Sequence, residues 1–235
     1  MSIVQINGLS KSYKVGESTV HALKGVDMEI EQGTFVSVIG PSGSGKSTLL
    51  NIIGCLDQPD KGSVRIAGQN VANLSGTARA NFRGQHLGFV FQNFNLIPVL
   101  TVLENVEYPL LVVKKMSARA HKKRVLKLLG DVGVLDQKNN LPSQISGGQM
   151  QRVAVARALV TQPKLVIADE PTANLDHDTA FKIIHLMKQM KDKWDTTYIF
   201  STHDPKIIGE AEVIYTLEDG QIVDRKDRRQ DVQDS

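Results

Sequence analysis

The run Phe35-Val36-Ser37-Val38-Ile39, followed directly by Gly40-Pro41-Ser42-Gly43-Ser44-Gly45-Lys46-Ser47, constrains this chain more than any other stretch. The first part suits a strand buried on both faces. The second fits the spacing G-x-x-x-x-G-K-[ST], and residues 46–53 then carry a helical pattern. A strand, a glycine-rich turn and a helix in that order make a cradle for phosphate. Glycines let successive backbone N–H groups turn inward, and the helix start adds a favourable dipole. Lys46 adds positive charge, Ser47 offers a hydroxyl to Mg²⁺, and Thr48 can add another to a phosphate. A merely flexible Gly/Ser turn has no need of a lysine at that place.

Short strands are expected around this unit, with alternation over residues 26–30 and further strand patterns at 62–68 and 88–91. Between 93 and 160 the character turns helical, notably over 103–113 and 117–129, where Val125, Leu128 and Leu129 recur at three- and four-residue spacing. Strand patterns return at 165–168, 198–200 and 213–215, separated by a helical stretch over 179–193. The chain therefore reads as α/β, a single domain over 1–235. Residues 1–92 and 161–225 form its core, 93–160 a helical insertion and 226–235 a polar tail.

Composition narrows the function. With 235 residues and 41% hydrophobic content the chain can bury a full core. Its 28 basic residues are interleaved with 25 acidic ones for a net charge of +3, so no strong field draws nucleic acid, and no nucleic-acid partner is expected. Cys55 is the only cysteine, which excludes an internal disulfide and fits a reducing, cytoplasmic setting. It reads as a small buried residue on the helix after the cradle. No apolar run approaches the roughly 20 residues of a membrane helix, so any membrane role is expected to come through a partner. His21, His86, His121, His177 and His185 show no metal-ligand spacing.

Downstream, the strand Leu165-Val166-Ile167-Ala168 ends in Asp169-Glu170. Beside a phosphate cradle, Asp169 can hold the shell of a Mg²⁺ ion, and Glu170 can orient and polarise the attacking water of a phosphoryl transfer.

Ile145-Ser146-Gly147-Gly148-Gln149, opening a helical stretch, resembles the signature motif of the ATP-binding cassette family. Gln92 resembles that family's Q-loop, Asn174-Leu175-Asp176 its D-loop, and His203 in Ser201-Thr202-His203-Asp204 its switch histidine, all in the family's order. The one departure is Ile145 where the family usually has leucine, an exchange that keeps apolar character. The resemblance implies a P-loop NTPase (RecA-like) core, an N-terminal antiparallel β subdomain and an inserted α-helical subdomain. It implies ATP and Mg²⁺ as cofactors, with Ser47, Gln92 and Asp169 around the metal, and Glu170, His203, Gln92 and Lys46 as the catalytic set. Tyr13 is expected to stack on adenine beside Val20. Ser146, Gly147, Gly148 and Gln149, together with Asp176, are expected to complete the site of a second copy in an ATP-sandwich homodimer.

The stretch from Leu87 through Val106 and Leu56-Asp57-Gln58-Pro59-Asp60-Lys61-Gly62 are similar to the bacterial branch of macrolide-efflux, lipoprotein-release and cell-division cassettes. That branch implies an integral membrane partner with a large external domain, and a place on the cytoplasmic face of the membrane. Phe94, Leu96 and Ile97 are candidates to anchor a helix of that partner. Two readings stay open: an ATP-driven transporter subunit, or a cassette that controls a cell-wall hydrolase through its membrane partner without moving cargo. A guanine switch is disfavoured because no Asn-Lys-x-Asp motif occurs, and a DNA or ribosome cassette because no basic stripe or long coiled-coil insertion does.

Overall fold

In the computed structural model, which describes residues 1–113 and 118–229 apart from the side chain of Ala118, the chain opens with two strands of 14 residues each. These are β1 (Ser2–Val15) and β2 (Ser18–Glu31), paired antiparallel from Ser2 against Glu31 to Val15 against Ser18. They run far longer than the alternation over 26–30 suggests. Only the half near the core, including Val4, Ile6, Leu9, Leu23, Val26 and Met28, is buried, and residues 13–21 form an exposed ribbon whose polar residues give no alternating signal.

Strand β3 (Phe35–Ile39) leads into α1 (Lys46–Ile53). Next, β4 (Lys61–Ile66) and β5 (Gln69–Asn70) extend the first sheet, whose order is β2-β1-β4-β5 with every pair antiparallel. Cys55 lies beyond the end of α1, buried and with φ +54, instead of on the helix. Helix α2 (Gly76–His86), which has no counterpart in the sequence expectations, buries only Phe82 and starts where Ser75 Oγ accepts from the Ala78 N–H. Strand β6 (Leu87–Phe91) precedes a lobe of three helices, α3 (Val102–Val113), α4 (Ala118–Asp131) and α5 (Gly147–Leu159). Ser117, the expected start of the second of these, lies outside the described residues.

The chain then alternates β7 (Leu165–Asp169), α6 (His177–Trp194), β8 (Thr197–Ser201), the short α7 (Pro205–Ile208) and the hairpin β9 (Val213–Glu218) with β10 (Gln221–Asp227). The second sheet has the order β10-β9-β3-β8-β7-β6, parallel except for the β10 edge. Lys226 and Asp227, expected to begin a loose tail, are still in β10, and residues 230–235 lie outside the described residues.

Successive residues of the parallel strands face opposite ways, and each face has its own core. Phe35, Val166, Ala168, Tyr198, Phe200 and Ile214 pack with α5, α6 and the helical lobe. Val36, Val38, Leu165, Ile167, Ile199 and Leu217 pack with α1 and the antiparallel sheet. The period-2 pattern is hidden in the sequence because both faces are apolar, as expected for a sheet covered on both sides.

The end of β10 is held by charge. Arg229 Nη2 lies 2.6 Å and Arg225 Nη2 2.9 Å from Asp227 Oδ2, while Arg229 Nη1 reaches Glu31 Oε2 at 2.7 Å. The Arg229 bond holds the Asp227 carboxyl at about 2, against an ordinary 3.8. A depressed carboxylate pKa gives stability that is complete above the unfolded value and is lost as the pH falls toward the folded one. Asp227→Asn should therefore cost about 1 kcal/mol near neutral pH, after allowance for screening at this rim. Urea denaturation at stepped pH should show the gap to the unaltered chain constant above about pH 4 and narrowing toward pH 2.

Candidate functional site

Four parallel strands end on one edge of the second sheet, and several candidate residues lie at or just past those ends. Gly40 follows β3 and Gln92 follows β6, Asp169 closes β7 with Glu170 next, and His203 lies two residues beyond β8. Phe91 pairs with Asp169 and Ala168 with Phe200, so the ladder itself sets these groups side by side. Ligands of such sheets bind outside the carboxyl ends of the strands.

The glycine-rich turn is shaped by positive φ at Gly40 (+147), Gly43 (+80) and Gly45 (+104). A Cβ at Gly45 would stand 2.4 Å from the Ala22 carbonyl oxygen, and one at Gly40 2.0 Å from that of Leu217, so neighbouring strands press the loop into this form. Gly45 is also the N-cap of α1 and supplies no side-chain cap, and the first turn has no acidic residue. The opening N–H groups of α1 are thus left for an anion. Lys46 Nζ donates to the carbonyls of Gly40 and Pro41 at 2.8 and 2.9 Å, curling its charge over the loop.

Opposite lie the acids. Asp169 Oδ1 accepts from Ser201 Oγ at 2.6 Å, and the same Oγ accepts from the Glu170 N–H at 2.8 Å, so one hydroxyl ties the end of β8 to both acidic positions. Glu170 sits in the left-handed region at φ +47. Its carboxylate faces His203 Nδ1 at 3.0 and 3.1 Å, with the imidazole mostly exposed. Asn174 Nδ2 donates to the Gln92 carbonyl at 3.1 Å and to Asn93 Oδ1 at 2.8 Å, joining the loops after β6 and β7.

Gly40, Gly43, Gly45, Lys46, Gln92, Asp169, Glu170 and His203 line one cleft of about 780 Å³, together with Tyr13, Val20, Pro41, Ser42, Ser47 and Thr48. His21, which the sequence offers only as a histidine without metal-ligand spacing, lines it too, as do Ala22 and Ala173, which carry no sequence signal. Ser44 is buried beneath the loop and does not line the cleft; its backbone carbonyl accepts from the Gly220 N–H at 3.1 Å. The oxygens of Ser47, Gln92 and Asp169 on the cleft wall form a hard donor set with a single carboxylate, which suits Mg²⁺ that keeps waters and substrate phosphates as its other ligands.

Ser146, Gly147, Gly148, Gln149 and Asp176 are not in the cleft. Ser146 caps α5 by accepting from the Gln149 N–H at 3.3 Å, while Gln149 Oε1 accepts from the Ser146 N–H at 2.8 Å. The Ser146 hydroxyl proton stays available for donation. Asp176 caps α6, accepting from the Thr179 N–H at 3.0 Å, and Thr179 Cγ2 crowds Gly148, where a Cβ would meet it at 2.6 Å.

A separate hollow of about 360 Å³ opens between α2, β6, α3 and α5, with Phe89, Phe91, Pro109 and Val113 among its walls. Phe94, Leu96 and Ile97 do not line it; Leu96 packs against the core of the helical lobe instead. Arg157 lines the hollow and donates to the carbonyls of Phe94, at 2.7 Å, and Asn95.

Comparison with known proteins agrees with this geometry. The profile of the ABC transporter family matches residues 23–173. An uncharacterized ABC transporter ATP-binding protein of Methanocaldococcus jannaschii, MJ0796, is 45% identical, covering 94% of this chain and 95% of its own length. The lipoprotein-releasing system ATP-binding protein LolD of Pseudoalteromonas translucida is 44% identical, covering 94% of each. The macrolide export ATP-binding/permease protein MacB of Rhodopirellula baltica is 42% identical over 94% of this chain, which spans only 33% of that longer protein. A dimeric post-hydrolysis state of the ATP-binding cassette MJ0796 bound to ADP and Pi superposes with a TM-score of 0.88 at 44% identity, covering 96% of this chain and 99% of that one. With family profile, relatives and solved fold in agreement, the chain belongs to the ABC transporter family, as an ATP-binding cassette ATPase.

Proposed function

We propose that two copies of this chain close on two ATP molecules, each cleft of one copy covered by Ser146, Gly147, Gly148 and Gln149 of the other, and that hydrolysis there drives an integral membrane partner. One observation carries this reading: the cleft holds a phosphate cradle, two acids and a histidine, while the signature residues of the same chain stand outside it. The dimeric form of the relative bound to ADP and Pi supports it.

In this reading the uncapped start of α1 and Lys46 hold the β- and γ-phosphates, and Tyr13 with Val20 receives the adenine. Mg²⁺, held by Ser47, Asp169 and Gln92, neutralises phosphate charge when bound. Glu170 takes a proton from a water whose oxygen attacks the γ-phosphorus, and the bond from that phosphorus to the β–γ bridging oxygen breaks, leaving ADP. His203, hydrogen-bonded to Glu170 here, turns its imidazole to the γ-phosphate once ATP is present. The partner copy supplies the Ser146 hydroxyl and the Gly148 N–H at the start of its α5, a positive helix end aimed at negative charge. Hydrolysis removes the groups that hold the two copies together.

No helix among the described residues is long and apolar enough to cross a membrane. The membrane partner that we propose has a few helices and a large external domain, as the resemblance to the lipoprotein-release and macrolide-efflux branch implies. It holds the cassette at the cytoplasmic face of the membrane, and its docking ground is the hollow beside α3, where Tyr108, Leu111 and Val112 are exposed. The core with its antiparallel sheet and the helical lobe, divided near residues 92 and 160, act as the two moving units.

Glu170→Gln should slow phosphate release on the order of 100-fold or more while ATP still binds, and light scattering with ATP should find a stable dimer. Near-normal turnover would remove Glu170 as the base. Lys46→Ala should weaken ATP about 10-fold or more by calorimetry, as expected for loss of charge-assisted hydrogen bonds. Neither Lys46→Ala nor Ser146→Arg should hydrolyse ATP alone, but an equal mixture should regain part of the turnover, because mixed dimers hold one intact composite site. Two silent variants that stay silent when mixed would place each site within one chain. Mass spectrometry of the Glu170→Gln chain captured with ATP from detergent-solubilised membranes of its host should find a stoichiometric membrane protein with a large external domain.

A further inference from the structure

We infer that Asp57 and Lys11 are positioning residues for the nucleotide base: together they clamp the Tyr13 ring so that one face is left to the cleft, and they tie that ring to the phosphate loop. This deepens the reading of the cleft as an ATP site and rests on it.

Lys11 and Tyr13 are two apart on β1 and so share a face of the strand. Lys11 Nζ stands 5.1 Å from the centroid of the Tyr13 ring, a cation over an aromatic face. It is fixed there by Asp57 Oδ1 at 3.0 Å and the Gln58 carbonyl at 2.7 Å. The Tyr13 hydroxyl donates to the other oxygen, Asp57 Oδ2, at 2.7 Å. One carboxylate thus holds both the ring's edge and the cation over its face. Lys11 does not line the cleft and Tyr13 does, and we assign the ring face without the cation to the base.

The anchor of this clamp comes from the other end of α1. The N–H groups of Leu56 and Asp57 donate to the Asn51 carbonyl at 2.8 and 3.3 Å, strapping the loop to the helix that begins at the phosphate loop. Two further bonds stitch the same loop to β1: Asp60 N–H to the Ser10 carbonyl at 2.9 Å, and Ser12 N–H to Asp60 Oδ2 at 2.7 Å. Burial raises the Asp57 carboxyl, but the bonds from Tyr13, the Gln58 N–H and Lys11 outweigh it and keep the group below the ordinary range, so it stays ionised. The wall for the base and the cradle for the phosphates are consequently set at a fixed spacing by one helix.

The test compares two ligands by calorimetry on the full chain: ATP, and inorganic tripolyphosphate, which has the phosphates and no base. Asp57→Ala should raise the Kd for ATP about 5- to 10-fold, as expected for loss of a charged hydrogen-bond acceptor, and leave that for tripolyphosphate within about twofold. Tyr13→Phe, which removes only a hydroxyl at a partly exposed ring, should give a smaller loss for ATP alone and add little on top of Asp57→Ala. Lys11→Met should again weaken ATP selectively. A parallel loss for tripolyphosphate would make Asp57 a fold residue and overturn the clamp. So would unchanged ATP affinity in variants of a chain that binds ATP normally. Failure of the unaltered chain to bind ATP would instead remove the function proposed above.

Discussion

The parallel hydrogen-bonded ladder of β3, β8, β7 and β6 is the constraint on which everything else rests. Its register sets Phe35 against Tyr198, Ala168 against Phe200 and Phe91 against Asp169, and so brings four chain reversals to one edge. A slip of one residue in any strand would exchange the two cores, because neighbouring residues belong to opposite faces. Such a slip is strongly resisted: Tyr198, Phe200, Val166 and Ile199 are all fully buried. The precision of the cleft is therefore paid for by apolar packing well below it, and the polar bonds at the edge only finish the alignment.

The sequence made the phosphate loop legible because its spacing, its buried strand and its helix all follow from adjacent residues. The two acids at the end of β7 are readable for the same reason. The pairing of Ser201 with Asp169 and the closeness of His203 to Glu170 join residues more than thirty positions apart, and no periodicity reports them. Asp57 lay in a string that resembled a family pattern, yet nothing in that string tells that its carboxylate meets Tyr13. The long ribbon of β1 and β2, helix α2 and the far end of β10 escaped because most of their side chains are solvent-facing. Only elements with a strong apolar face announce themselves.

The two helix starts at the heart of the proposed assembly are finished differently, and the difference is electrostatic. At α1 a glycine cap leaves the opening N–H groups without a side-chain acceptor. At α5 the reciprocal Ser146 and Gln149 bonds satisfy two backbone donors from within the chain. The first end suits deep enclosure of charge, and the second suits a surface that must stay ordered while exposed to solvent. In the proposed dimer an interface of this kind is isologous: the patch offered is the counterpart of the patch received.

The backbone at Glu170 carries a further consequence. A left-handed φ of +47 is disfavoured for an ordinary side chain by about 1–2 kcal/mol, and short Asp or Asn residues tolerate it better. Aspartate would relieve part of that cost, but its carboxylate would stop one methylene, roughly 1.5 Å, nearer the main chain. At this position conformational comfort and reach are opposed. The chain has settled on reach, so even the chemically mildest replacement of this acid would move the charge away from the place where the loop was bent to deliver it.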